Sequence, residues 1–100
     1  MKIMIQSLRF DADKKLQEFI QKKMSKIEKL WEAVTQMEVV LRIENDATDE
    51  NKVVEVKIPV PGGPDLFARK QSRTFEEAVD ELVDIVSRQV VKAKEKARGL

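Results

Sequence analysis

The stretch MEVVLRIENDATDENKVVEVKIPVPGGPDLFARKQ, residues 37–71, decides the fold. It opens with Met37, Val39, Leu41 and Ile43 alternating with Glu38, Val40, Arg42 and Glu44, the two-residue period of a strand with one buried face. Asn45-Asp46-Ala47-Thr48-Asp49-Glu50-Asn51 is polar and acidic and suits an exposed hairpin connection. Val54, Val56, Ile58 and Val60 then alternate with Val53, Glu55, Lys57 and Pro59. Proline cannot donate to a ladder, so Pro59 belongs near the end of pairing or at a bulge. Pro61-Gly62-Gly63-Pro64-Asp65 is a strong turn signal, and a further strand, Leu66 to Gln71, folds back with Leu66 and Ala68 facing inward.

Upstream, Lys2 to Gln6 sets Ile3 and Ile5 on one face, a short opening strand. Asp11 then offers a helix N-cap, with Asp13 adding negative charge to the first turn, where the helix dipole favours it. Leu16, Phe19, Ile20, Met24, Ile27, Leu30 and Trp31 recur at three- and four-residue spacings, which predicts a helix from about Ala12 to Trp31. Downstream, Thr74 and Glu77 form a capping box ahead of Phe75, Ala78, Val79, Leu82, Val83, Val86 and Val90. That helix is expected to reach about Lys96, with Gly99 beyond its end. The order is β-α-β-β-β-α. A helix between the first two strands makes them parallel, and two hairpins complete a four-stranded mixed sheet. Each helix has one apolar stripe, so both are expected on one face of the sheet, an α+β two-layer sandwich with a layout like that of double-stranded-RNA-binding domains.

A chain of 100 residues is expected to form a single domain, residues 1–100. Cysteine, histidine and tyrosine are all absent, which removes thiol nucleophiles, cysteine zinc sites and the usual general base near neutral pH. No apolar run approaches the roughly 18 residues that would span a bilayer, and Met1-Lys2-Ile3 leads straight into patterned sequence, so a cytoplasmic location is expected. No cofactor and no small-molecule substrate is implied.

Charged residues make up 37% of the chain, yet the formal net charge is only +1. That balance conceals segregation. Between Lys14 and Lys29 six lysines face only Glu18 and Glu28, and residues 44–50 carry Glu44, Asp46, Asp49 and Glu50. The second helix begins with Glu76, Glu77, Asp80, Glu81 and Asp84 and ends with Arg88, Lys92, Lys94, Lys96 and Arg98. Arg88, Lys92 and Lys96 stand four residues apart, one stripe without an intervening acid. In the first helix Lys23 falls inside the apolar arc, where a lysine must snorkel or find a partner. Lys26 and Lys29 step outward from it. Two parallel helices would bring both basic ends together as a positive surface for a phosphate backbone. Phe67 is the one aromatic residue that alternation directs away from the helices, where a base could stack on it.

These elements, together with Phe19-Ile20-Gln21-Lys22-Lys23-Met24-Ser25-Lys26-Ile27-Glu28-Lys29, the Pro61-Gly62-Gly63 turn, Phe75-Glu76-Glu77-Ala78-Val79-Asp80 and Arg88-Gln89-Val90-Val91-Lys92, resemble the ribosome hibernation promoting factor family, which includes protein Y. The likeness extends from the first strand to about Lys96. It implies a cytosolic protein, monomeric when free, that binds the small ribosomal subunit through rRNA, blocks the path of mRNA and tRNA, and silences translation under stress or in stationary phase. Matched by position, the family's rRNA contacts fall on Lys23, Lys26, Lys29, Arg88, Lys92 and Lys96. A position that is basic in some relatives is Ile85 here, and the second helix opens Thr74-Phe75-Glu76-Glu77-Ala78, where many members have an aspartate and tyrosine. The resemblance further implies a short-type factor without the extra domain of long members.

The alternative is a stand-alone binder of structured RNA that recognises duplex shape rather than the ribosome. A protein adaptor using the acidic residues 44–50 and the acidic start of the second helix is a weaker option. An enzyme is weaker still, because Glu76, Glu77, Asp80, Glu81 and Asp84 match no metal-loop spacing and Gly62-Gly63 is a turn rather than a phosphate loop.

Overall fold

The computed structural model describes residues 1–44 and 48–99, so part of the acidic 44–50 stretch, including Asp46, lies outside the described residues. Four strands, β1 (Lys2–Ser7), β2 (Gln36–Ile43), β3 (Lys52–Ile58) and β4 (Leu66–Ser72), form one sheet in the order β1-β2-β3-β4. β1 runs parallel to β2, and the β2–β3 and β3–β4 pairs are antiparallel, as the crossover and two hairpins require. The helices are α1 (Lys14–Met24) and α2 (Phe75–Ala97), with a 3₁₀-helix, Ser25–Lys29, continuing α1. The α+β two-layer sandwich is therefore as expected.

Register aligns Met37, Val39 and Leu41 with Ile58, Val56 and Val54, and Ala68 lies opposite Val56. These residues are buried against Leu16, Ile20, Met24 and Ile27 from one side and Val79, Leu82, Val86 and Val90 from the other. The inner face thus carries the period-two set and each helix its apolar stripe. Ile43, expected on that face, is instead 48% exposed, since it sits at the end of β2. Val53, on the opposite face by alternation, is fully buried between its cross-strand neighbours Arg42 and Gln71. Arginine and glutamine stems can cover an apolar neighbour while their polar ends stay engaged, and here Arg42 pairs with Glu44 and Glu55.

Two helix boundaries differ from expectation. Asp13, not Asp11, caps α1: the Leu16 backbone N–H donates to Asp13 Oδ1 at 2.8 Å. The turn from β1 uses Arg9 at φ 66, and the Ala12 N–H donates to Ser7 Oγ, which delays helical geometry until Lys14. At the other end the α-helix stops at Met24, where the Ser25 hydroxyl donates to Lys22 O at 3.0 Å and the backbone tightens to 3₁₀. In a 3₁₀ turn residues i and i+3 eclipse, which keeps Met24 and Ile27 stacked in the core.

α2 follows its sequence signals closely. The Glu77 N–H donates to Thr74 Oγ1 at 3.0 Å, and Arg98 and Gly99, the latter at φ 73, end the helix. Thr74→Ala is expected to lower stability by about 1 kcal/mol through loss of this cap, measured by urea denaturation, with Thr74→Ser restoring most of it.

Candidate nucleic-acid interface

The six candidate residues sit on α1 (Lys23), the 3₁₀-helix that continues it (Lys26 and Lys29) and α2 (Arg88, Lys92 and Lys96), and α1 and α2 run in the same direction. Lys23 Nζ lies 3.2 Å from Asp80 Oδ1 in the first half of α2. Near the other end, Lys94 Nζ donates to the Leu30 carbonyl at 3.1 Å, past the 3₁₀-helix. Order is preserved from one contact to the other, so the C-terminal ends of both helices lie at the same end of the molecule.

Lys23 resolves the difficulty its position creates. Its stem follows the apolar arc, its ammonium stands 5.5 Å from the Phe19 ring centroid, and Asp80 meets its charge. Lys26 and Lys29 are exposed. Three residues apart in a 3₁₀ turn, they project along one line at about 6 Å spacing. The acid between them, Glu28, is engaged elsewhere: the Met1 ammonium donates to its Oε2 at 2.7 Å and holds its carboxyl below the usual carboxylate range, with Lys29 a minor contributor.

On α2 the core direction is set by Leu82, Val86 and Val90. At 100° per residue, Arg88 points almost straight outward, and each four-residue step to Lys92 and then Lys96 turns about 40° further around the helix. Asp80 and Lys94 mark the flank facing α1 and the 3₁₀-helix. Glu81, bound to Lys70 at 3.1 Å, and Gln89, whose Nε2 donates to Phe67 O at 3.1 Å, mark the flank facing β4. Lys92 and Lys96 turn toward β4 and line a groove there. The structure therefore brings Lys26 with Lys29, and Lys92 with Lys96, on two separate flanks of the helical layer, with Arg88 facing outward from α2. The basic ends form a broad band rather than one cluster. Ile85 packs against the edge of the core.

The partners of the acids sharpen this picture. Asp80 is taken by Lys23, Glu81 by Lys70, Glu44 by Arg42 and Arg69, and Asp65 by Lys57. None of Lys26, Lys29, Arg88, Lys92 and Lys96 forms an ion pair among the described residues. Their charge is left to solvent counterions, which is the state a polyanion exploits by releasing them. Sequence spacing overlooked Lys94, which lies off the stripe yet ties the two helix ends together. Among the described residues no three carboxylates gather to hold a metal ion.

A family model described as Sigma 54 modulation protein / S30EA ribosomal protein matches residues 3–98. A ribosome hibernation promoting factor of Pseudomonas putida is 25% identical over 100 residues, covering 100% of this chain and 93% of its own. That of Escherichia coli (strain K12) is 28% identical over 83 residues, 83% of this chain and 82% of its own. A ribosomal subunit interface protein from Coxiella burnetii superposes with a TM-score of 0.81 at 22% identity, over 94% of this chain and 98% of that one. The N-terminal domain of Thermus thermophilus Protein Y gives 0.79 at 18% identity, over 92% and 98%. The last two likenesses establish the fold.

Proposed function

Because the chain belongs to the Sigma 54 modulation protein / S30EA ribosomal protein family, we propose that it is a ribosome hibernation factor, which binds the small subunit through rRNA phosphates and silences translation by occupying the path of mRNA and tRNA. The observation that carries the rRNA contact is the set of exposed cations Lys26, Lys29, Arg88, Lys92 and Lys96, none ion-paired among the described residues, at the shared end of two parallel helices. The relatives it resembles over 82–93% of their lengths are named for ribosome hibernation, which supports the same target. The mode of action is occupancy and electrostatics. Each lysine or arginine neutralises a phosphate and releases condensed counterions. Lys23 is already balanced by Asp80 and acts in this scheme by fixing the two helices side by side.

Co-sedimentation with purified small subunits across a salt series tests the proposal. With five phosphate contacts, affinity should fall with salt at a log–log slope of about −4. A slope near zero, or no sedimentation at low salt, would reject it. The dsRBD-like layout keeps duplex RNA as the competing target. Excess free duplex that displaces the protein from subunits at equal phosphate concentration would favour that alternative.

A further inference from the structure

The cations proposed to meet rRNA are divided between two elements. Lys26 and Lys29 ride on the 3₁₀-helix, and Arg88, Lys92 and Lys96 on α2. A phosphate backbone can engage both sets at once only if the two elements keep a fixed separation. A 3₁₀-helix does not hold itself firmly, because its hydrogen bonds are poorly aligned and runs beyond about four residues are uncommon. Here it runs from Ser25 to Lys29 and starts without a side-chain cap. It closes with the Leu30 N–H donating to Ile27 O at 3.0 Å, and the next backbone bond passes from the Val34 N–H to Trp31 O. Among the described residues no backbone N–H donates to the Leu30 carbonyl between them.

Lys94 supplies that donor, with Nζ 3.1 Å from Leu30 O across 64 positions of the chain. A cation at the carbonyl end of a helix is also what the helix dipole favours. Lys94 differs from the other cations in its half of α2: Arg88, Lys92, Lys96 and Arg98 are exposed, whereas Lys94 is half-buried. It follows buried Val90 by four residues, so its stem leaves the helix beside the core rather than from the outer side where Arg88 points. The Lys23–Asp80 pair fixes α1 against the first half of α2. Lys94 makes the matching contact for the segment that carries Lys26 and Lys29. We propose that Lys94 is a positioning residue for rRNA binding, which holds the end of the 3₁₀-helix against α2 so that Lys26 and Lys29 stand at a fixed reach from Arg88 and Lys92. The inference rests on the RNA-binding function proposed above and adds to it a residue that works through the others without meeting a phosphate. When the clamp is lost the 3₁₀-helix samples other placements, and apparent affinity falls by the fraction of molecules left in the competent one. The phosphates met in the complex stay the same in number, and so does counterion release.

Lys94→Met keeps an unbranched, helix-forming stem and deletes the ammonium. It is expected to weaken co-sedimentation with small subunits about tenfold, the result of a competent fraction of about one in ten. The log–log salt slope should stay at about −4, whereas Lys92→Met, which removes a phosphate contact, should lessen it by about 0.8. Lys94→Arg keeps a cationic donor of similar reach and should restore the affinity. Trp31, next to Leu30, is the only tryptophan of the chain and is 8% exposed, so its fluorescence reports the clamp directly. Its emission should shift to the red in Lys94→Met and return in Lys94→Arg. Binding is measured well below each variant's melting temperature, taken from thermal circular dichroism. A slope lessened by about 0.8 in Lys94→Met would make Lys94 a phosphate contact and overturn the proposal. So would affinity equal to that of the unaltered chain with only the melting temperature lowered, the signature of a purely structural role. A Lys94→Arg variant that binds no better than Lys94→Met would overturn it too. Each of these outcomes leaves subunit binding by the unaltered chain in place and rejects the clamp alone, whereas failure of the unaltered chain to bind subunits rejects the wider function.

Discussion

Changing Lys26, Lys29, Arg88 and Lys92 together to glutamate is expected to abolish co-sedimentation with small ribosomal subunits at physiological salt while leaving the melting temperature nearly unchanged. Each substitution deletes one phosphate contact and places a carboxylate where a phosphate would sit, so loss and repulsion act together. Stability should be spared for reasons visible in the structure. All four side chains are exposed and none forms an ion pair among the described residues, so no partner is stranded. Surface changes of that kind usually stay within about 0.5 kcal/mol each. Arg88 and Lys92 lie more than a turn before Ala97, where the dipole of α2 is weakly felt. The matched control is Lys15→Glu with Arg73→Glu, both exposed, without an ion pair among the described residues and at the N-terminal ends of the two helices, which should bind as before. Full binding by the fourfold variant, or equal loss in the control, would refute the assignment of the interface to the basic helix ends.

The fold was legible because independent signals agreed. Alternation in Met37–Leu41 and Val54–Ile58, the 61–65 turn and the Thr74 cap each indicate one local structure, and together they allow one topology. Where the expectation slipped, the sequence carries two signals that coincide. Residues 25–31 contain neither glycine nor proline, and Met24 and Ile27 face inward at a period of either 3.0 or 3.6, so the passage from α to 3₁₀ leaves no trace in the pattern. Asp11 and Asp13 are both competent caps, and the choice between them is made by the tight exit from β1 at Arg9 and Ser7. Val53 was hidden for a different reason. Its burial comes from Arg42 and Gln71 on neighbouring strands, a property of register rather than of its own strand.

The candidate interface was legible by residue and only partly by arrangement. Periodicity fixes the angle of a side chain relative to its own helix core, which is how Lys26, Lys29 and the 88–92–96 stripe stood out. It does not say which neighbour occupies which flank, since that depends on the order of helices across the sheet. Hence the α2 stripe turns toward β4 rather than toward α1, and Lys94, outside every stripe, makes the contact with Leu30. The position of Lys23 signalled a missing partner, but Asp80 is far along the chain and only packing of α2 beside α1 brings it to 3.2 Å. The same packing explains why a balanced composition is compatible with a basic surface. Asp80 and Glu81 pair with Lys23 of α1 and Lys70 of β4, and among the described residues Arg88, Lys92 and Lys96 beyond them form no ion pair.

Leu82→Ala should have the opposite signature, a large loss of stability with the interface chemistry intact. Leu82 is fully buried at the middle of α2, in one core cluster with residues of β2, β3, β4 and α1. Truncation removes its transfer free energy and leaves a cavity that the rigid sheet cannot close, a cost of about 2–5 kcal/mol. In a domain of this size each kcal/mol shifts the melting temperature by roughly 4–8 °C, so a fall of about 8–40 °C is expected by thermal circular dichroism. Leu82→Met keeps most of the volume and should cost less than about 1.5 kcal/mol. Below its lowered melting point Leu82→Ala should still sediment with small subunits at the salt slope of the unaltered chain, because the side chain faces away from every exposed cation. A variant that keeps its melting temperature would contradict the core described here. One that stays folded but loses the slope would show that core packing, and not surface charge alone, governs binding.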